Sequence, residues 1–306
     1  MKNRVVEISS DGAHLSVDRG FLSVAMGREC VGKVAIEDMS ALIIRGHGAS
    51  FSANICARLA DVNVPIVICN TNQSPASVIW PVSGHFTQGL TMQAQAVANK
   101  PMQKRLWAQL VKSKIENQAE VLRLYNQEFE DIASMAGRVK SGDIDNLEAQ
   151  AARKYWKRLM GEDFIRSSHQ GAINTALNYG YTILRAATAR SLLAAGLHPS
   201  LSIHHQSKGD ALRLADDLME PYRPWVDDRV KRISEQIEGQ EFSLTPQHKA
   251  ALAAVLTIDM QAAEGASPMQ VCMDRMAQSL AQVFLGNRKK LELPAPPIPL
   301  TLGQPI

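Results

Sequence analysis

Two rhythms divide the chain. Up to about residue 84, apolar residues come in short runs, RVVEIS, HLSVD, FLSVAM, KVAIED, ALIIRG, VPIVICN and ASVIWPV, broken by Gly, Asn, Asp, Pro and Ser. Val and Ile dominate them, and the close spacing of the breakers predicts the strands of a sandwich or meander. Residues 52–63, SANICARLADVN, depart from this rhythm. There Ile55, Leu59 and Val62 fall at helical spacing, which predicts one short helix among the strands.

From Met92 onward the period lengthens. Trp107, Leu110, Ile115, Ala119 and Leu122 recur mostly at three- and four-residue steps, with almost no Gly or Pro between them. Helical patterning continues to about residue 287. The final LELPAPPIPLTLGQPI carries four prolines within residues 294–301, too many for a helix, and predicts an extended tail. The expected class is α+β with two domains: a small N-terminal β-sandwich-like domain (1–84), a linker (85–100), a larger all-α C-terminal domain (101–287) and a Pro-rich tail (288–306).

Composition changes this picture little. With 45% hydrophobic and 21% charged residues among 306, the chain reads as an ordinary soluble globular protein. It contains no apolar run long enough to span a membrane, and MKNRVVEISSDG lacks the apolar centre of a signal peptide. Cys30, Cys56, Cys69 and Cys272 show no CxxC spacing, which points to free thiols, the cytoplasm and no zinc site. Residues 1–90 hold seven Lys/Arg and seven Asp/Glu, so the net charge of +3 arises wholly in the helical part. That surplus permits nucleic-acid binding without demanding it.

The candidate chemistry lies in HHQSKGDALRLADDLMEPYRP, residues 204–224, where two histidines precede a cluster of acids. On a helix over 211–222, Ala211, Ala215, Leu218 and Tyr222 share one face, and Arg213, Asp216, Asp217 and Glu220 share the other. The plainer reading is a solvated charged face with an Arg213–Asp217 pair. The sharper one is a metal held by a histidine and the carboxylates behind it. Glu148 adds a third element, because on a helix starting near Asn146 it shares the apolar side of Ala152, Tyr155 and Leu159, while Arg153, Lys154 and Lys157 face away. A carboxylate there needs a partner. Asp145-x-x-Glu148 also resembles a capping box, which would occupy Glu148 harmlessly, and spacing alone leaves both open.

The motifs LNYGY (177–181), AGLHPSLSIHH (195–205) and LADDLMEPYRPWVD (214–227), with E-x3-A-x2-YW (148–156) and KIENQAEVL (114–122), together resemble the CRISPR-associated adaptation integrases that install new spacers. The form is that of systems with a single large RNA-guided effector nuclease, and the likeness covers nearly the whole chain. Two departures are a Ser202 where the family commonly has a smaller residue, and a polar HQSKGDALRL segment.

The resemblance implies that Glu148, His205 and Glu220 are catalytic and hold Mg²⁺ or Mn²⁺. Asp217 stands as a neighbouring or alternate ligand, while His204 packs against or orients His205. It implies attack of prespacer 3′-hydroxyls on the CRISPR repeat, with Tyr155 as a packing group and not a nucleophile. Implied partners are double-stranded DNA, a second copy of the chain paired through the β domains, and a small ferredoxin-like second CRISPR-associated protein in a heterohexamer. The effector nuclease is a further candidate partner. Lys112, Lys114, Arg153, Lys157, Arg166 and Arg185 are candidate phosphate contacts. The rival readings are a stand-alone structure-specific DNA nuclease and a non-catalytic DNA-binding scaffold.

Overall fold

The computed structural model describes residues 4–62, 64–70, 75–79, 81–82, 88–167, 171–207, 209–236, 244–262, 265–293 and 295. In chain order the N-terminal elements are β1 (Arg4–Ile8), β2 (His14–Asp18), β3 (Phe21–Met26), β4 (Glu29–Ala35), β5 (Met39–Ile44), β6 (Ser50–Phe51), α1 (Ala53–Asp61), β7 (Ile66–Cys69) and β8 (Pro75–Ile79). They form two four-stranded sheets, ordered β1-β5-β7-β8 and β4-β3-β2-β6.

The first sheet is not a meander, since β1, β5 and β7 run parallel and only β8 pairs antiparallel. Parallel neighbours need a crossover, and α1 supplies the one between β5 and β7. The expected strand KVAIED is shifted: β4 begins at Glu29, and Ile36–Asp38 form a 3-10 turn.

One core lies between the sheets and α1, joining Ile8, Leu42, Ile44 and Ile66 to Leu15, Leu22, Ile55 and Leu59. Alternate residues of the first sheet, Ala41, Ile43 and Val67, belong instead to the core of the helical part. That is why ALII is apolar without interruption: β5 is buried on both faces. Polar contacts reinforce the junction, with Arg45 and the Tyr179 hydroxyl both donating to the Glu7 carboxylate.

The helical part comprises α2 (Gln88–Ala96), α3 (Lys100–Leu124), α4 (Glu130–Ala136), α5 (Leu147–Met160), α6 (Ala172–Ala194), α7 (Arg213–Met219), α8 (Arg223–Gln236), α9 (Pro246–Ala253) and α10 (Met269–Phe284). Two expectations are corrected here. A hairpin of β9 (Asp259–Ala262) and β10 (Gly265–Pro268) interrupts the stretch expected to be all-α, opening where Gly265 takes φ +106°. The expected linker also contains α2, whose buried Gln95 donates to the carbonyls of His198 and Leu201 and accepts from the His198 amide. Residues 83–87 of the junction lie outside the described residues. So do residues 294 and 296–306 of the expected tail, while Leu291 and Glu292 within it bond through their amides to Gln109 and Ser279.

α6 and α8 approach closely at Gly180, where an added Cβ would collide with Val226. No helix among the described residues is long and apolar enough to cross a membrane.

Candidate active site

Helix α5 starts in an unexpected way. Asn146, its N-cap residue, is left-handed at φ 51° and makes no side-chain cap. Asp143 caps instead, accepting from the amides of Leu147 and Glu148. Asp145 pairs with Lys140 at 2.9 Å, so the capping box suggested by the spacing does not form. Glu148 is thereby free to point at α3, where its Oε1 meets Lys114 Nζ at 2.6 Å.

The second carboxylate comes from a break in the helix. Pro221 has no N–H, and its ring crowds the carbonyl four residues back, so α7 gives way to a 3-10 turn over Glu220–Tyr222. Asn117 of α3 donates to the Pro221 carbonyl at 2.9 Å and fixes that turn. Glu220, only 2% exposed, meets the same Lys114 Nζ at 2.6 Å through Oε2. Its Oε1 lies 3.2 Å from Arg223. Two carboxylates from separate elements therefore converge on one largely buried ammonium, its side chain 11% exposed.

His205 sits on the loop between α6 and α7, and Asp217 of α7 shapes that loop. Fully buried, Asp217 accepts from the amides of Ile203 and His204 on Oδ2 and of His205 on Oδ1. Oδ1 also lies 2.6 Å from His205 Nδ1, which must carry the proton because a carboxylate only accepts. Neutral His205 is thus left with a lone pair on Nε2, the tautomer used for metal ligation. Both Asp217 oxygens are engaged by donors, so it supports the histidine. His204 stacks on Trp107 with centroids 4.0 Å apart, while His205 meets the same indole edge-on. The solvated-face reading of 211–222 fails: Asp217 and Glu220 are buried, and Arg213 donates to the Ser200 carbonyl.

The charges are mutually held. Burial opposes Lys114's charge, but Glu220 and Glu148 outweigh it and raise its pKa. Burial likewise opposes ionisation of Glu220, yet Arg223, Lys114 and His205 leave its pKa lowered. The hydrogen bond to Asp217 raises the His205 pKa against burial, helped by the charges of Asp217 and Glu220.

Behind the carboxylates, buried Asp227 accepts from Tyr181 at 2.5 Å and Tyr155 at 3.0 Å, with Arg223 over the Tyr181 ring. Tyr155 is fully buried and burial raises its pKa well above normal, as befits a packing group. Burial pushes Asp227 up to about 7, against those two hydrogen bonds. A raised folded-state pKa stabilises fully below the unfolded value of 3.8, and that stability is lost as pH rises through about 7. Relative to Asp227→Asn, the wild type is expected to lose roughly 1 kcal/mol per pH unit between pH 4 and 7. Urea unfolding at pH 5, 6 and 7 checks this; a constant difference between the two proteins would sink it.

Several sequence candidates for phosphate contact are engaged inside the protein. Lys114 is held between carboxylates, and Arg185 is tied to Asp216 and Asp210. Arg166 holds Asn174 and Asn178. Lys112, Arg153 and Lys157 do face solvent. Periodicity marks which face a residue occupies but not which neighbour covers it, so Lys114 in the centre of the site was missed. Its signal was present all the same: a lysine in a buried stretch of α3, one turn from the buried Asn117 and Gln118.

Among the described residues, no three His, Cys, Asp or Glu side chains close on a common metal position. What the structure brings together is the Glu148–Lys114–Glu220 triad, with His205 close enough to Glu220 to act on it electrostatically.

The model of the family described as CRISPR associated protein Cas1 matches residues 6–254. The CRISPR-associated endonuclease Cas1 of Neisseria meningitidis serogroup C (strain 8013) is 33% identical over 288 residues, 93% of either chain. A casposase bound to integration product has a similar structure, with TM-score 0.77 at 21% identity over 95% of this chain and 93% of that one. A chain of a Cas6-RT-Cas1–Cas2 complex gives TM-score 0.74 at 18% identity over 95% of this chain and 36% of its own length. Both structural likenesses are likenesses of fold.

Proposed function

The chain belongs to the Cas1 family of CRISPR-associated proteins, and on that premise we propose that it is a metal-dependent DNA integrase that inserts prespacers into a CRISPR repeat. One observation carries the reading: Glu148 and Glu220, from separate helical elements, converge on a single cation beside a histidine whose tautomer is fixed by Asp217.

The donor set suits Mg²⁺ or Mn²⁺. Two carboxylates already share a positive charge, and Glu220 Oε2, though ion-paired, has no hydrogen bond. Glu148, Glu220 and His205 Nε2 would hold the ion, oxygen donors suiting either metal and the imidazole favouring Mn²⁺. When bound, it supplies Lewis-acid polarisation of a phosphodiester and charge stabilisation at the leaving oxygen. Asp217 keeps the Nδ1 proton in place and the Nε2 lone pair available. Arg223 braces Glu220 from behind. Lys112, Arg153 and Lys157 offer exposed positive charge for positioning a duplex.

The reaction is a transesterification. The prespacer 3′-oxygen forms a bond to a repeat phosphorus, the bond from that phosphorus to the repeat's own 3′-oxygen breaks, and the hydroxyl proton is exchanged through solvent. One phosphodiester is made for each one broken, so no energy source is required. With water as nucleophile the same site hydrolyses DNA, a companion activity favoured by the name endonuclease on the Neisseria relative.

We further propose a homodimer paired through the β sheets. The strand β4 is a sheet edge, and Phe21, Met26 and Val31 on or beside it are exposed. The fold shared with a chain of a Cas6-RT-Cas1–Cas2 complex favours a small Cas2 partner, and we propose two dimers flanking a dimer of that partner as a heterohexamer. The effector nuclease is a further proposed partner. Four free thiols suit the reducing cytoplasm.

A prespacer with free 3′-hydroxyls, a repeat-bearing plasmid, Mn²⁺ and the small partner test the reading. Labelled prespacer is expected to join the plasmid covalently, and blocking its 3′ ends should stop joining while nicking persists. Nicking without joining would favour the nuclease reading; neither reaction, with DNA still bound, would leave a scaffold.

A further inference from the structure

Lys114 is the least expected member of the site. Its side chain is only 11% exposed, and its ammonium lies 2.6 Å from a carboxylate oxygen of each glutamate. An ammonium and a divalent cation cannot both sit between the same two carboxylates without strong repulsion. Metal entry therefore requires Lys114 to leave, and the structure contains a place for it. A cavity of about 70 Å³ adjoins the triad, lined by Lys114, Gln118, Trp156 and Asp227, with the like-charged Arg166 and Arg223 also on its wall. Gln118 follows Lys114 by one helical turn, is only 3% exposed, and its Oε1 has no hydrogen-bond partner. An unpaired buried acceptor is costly, and Lys114 can reach it along the same helix face.

We propose that Lys114 is a resident cation that holds the carboxylate pair together in the metal-free protein and withdraws to Gln118 when a divalent ion binds. The inference rests on the metal reading above. In the metal-free state it prevents Glu148 and Glu220 from repelling each other, so the site stays assembled. The same pairing lowers metal affinity, because only molecules with Lys114 withdrawn are competent to bind.

Titration of Mn²⁺ into the full-length protein without DNA, read by calorimetry and by electron paramagnetic resonance, tests this independently of activity. Lys114→Met is expected to bind Mn²⁺ about tenfold more tightly than wild type, the gain expected if roughly one molecule in ten has Lys114 withdrawn. Its melting temperature should fall in chelator and recover on adding Mn²⁺ by more than the wild type gains. Gln118→Leu removes the proposed receiving group and should bind several-fold more weakly. Equal or weaker binding by Lys114→Met would overturn the proposal. If that variant does not fold, unchanged binding by Gln118→Leu would overturn it instead. Glu148→Gln separates the two levels: if it binds Mn²⁺ as the wild type does, the metal reading itself is wrong, whatever Lys114 does.

Discussion

Glu148→Ala is expected to lower joining and nicking together by about 10³-fold or more, the effect of removing several kcal/mol of charge stabilisation from the transition state. DNA binding should survive, because phosphate contacts spread over many basic residues dominate affinity. The loss should not come from unfolding. Glu148 lies at the N-terminal turn of α5, which Asp143 caps, and Lys114 keeps Glu220 as its partner. Gel-based joining, nicking and mobility-shift assays on one preparation check all three quantities. Joining by the variant at the wild-type rate would refute the assignment. A parallel fall in DNA affinity would show that Glu148 organises the binding surface instead.

Asp217→Ala should act on structure first. The substitution strands three backbone amides, those of Ile203, His204 and His205, and frees the His205 ring from its hydrogen bond to the carboxylate. Leaving buried donors unpaired in this way is expected to cost about 3–5 kcal/mol of stability. Asp217→Asn, which keeps one acceptor oxygen but not the charge, should fall between. Chemical denaturation gives the stability, and histidine-specific acylation reports the release of His205. Wild-type stability in Asp217→Ala would mean that the loop is held by something other than this carboxylate.

These residues also mark how far the sequence could be read. The β-to-α change, α1 and the long amphipathic helices were legible because a buried face imposes its period on the chain. Parallel pairing in the first sheet was not, since a run such as ALII looks the same in either sheet type. The hairpin at 259–268 escaped because four-residue strands are too short to show alternation. Within the site, the motifs singled out Glu148, His205 and Glu220, and the structure sets the two glutamates on one centre. Asp217's place behind His205 and the Lys114 bridge depend on loop and interhelical geometry, to which periodicity is blind. The Asp143 cap shows the same limit: the chosen acid lies two residues from the one the motif suggested.

Strand β5 has a consequence for how the protein comes apart. Leu42 and Ile44 face one core while Ala41 and Ile43 face the other. A slip of one residue would exchange the two sets, putting alanine where leucine is needed, so its register is pinned from both sides. Neither core can loosen while the other stays whole, because they share the backbone of this strand. The helical half, produced alone, would carry a sheet-sized apolar scar beside α6. Melting should therefore be one cooperative event through which the β sheets report on the integrity of the candidate site in the helical part.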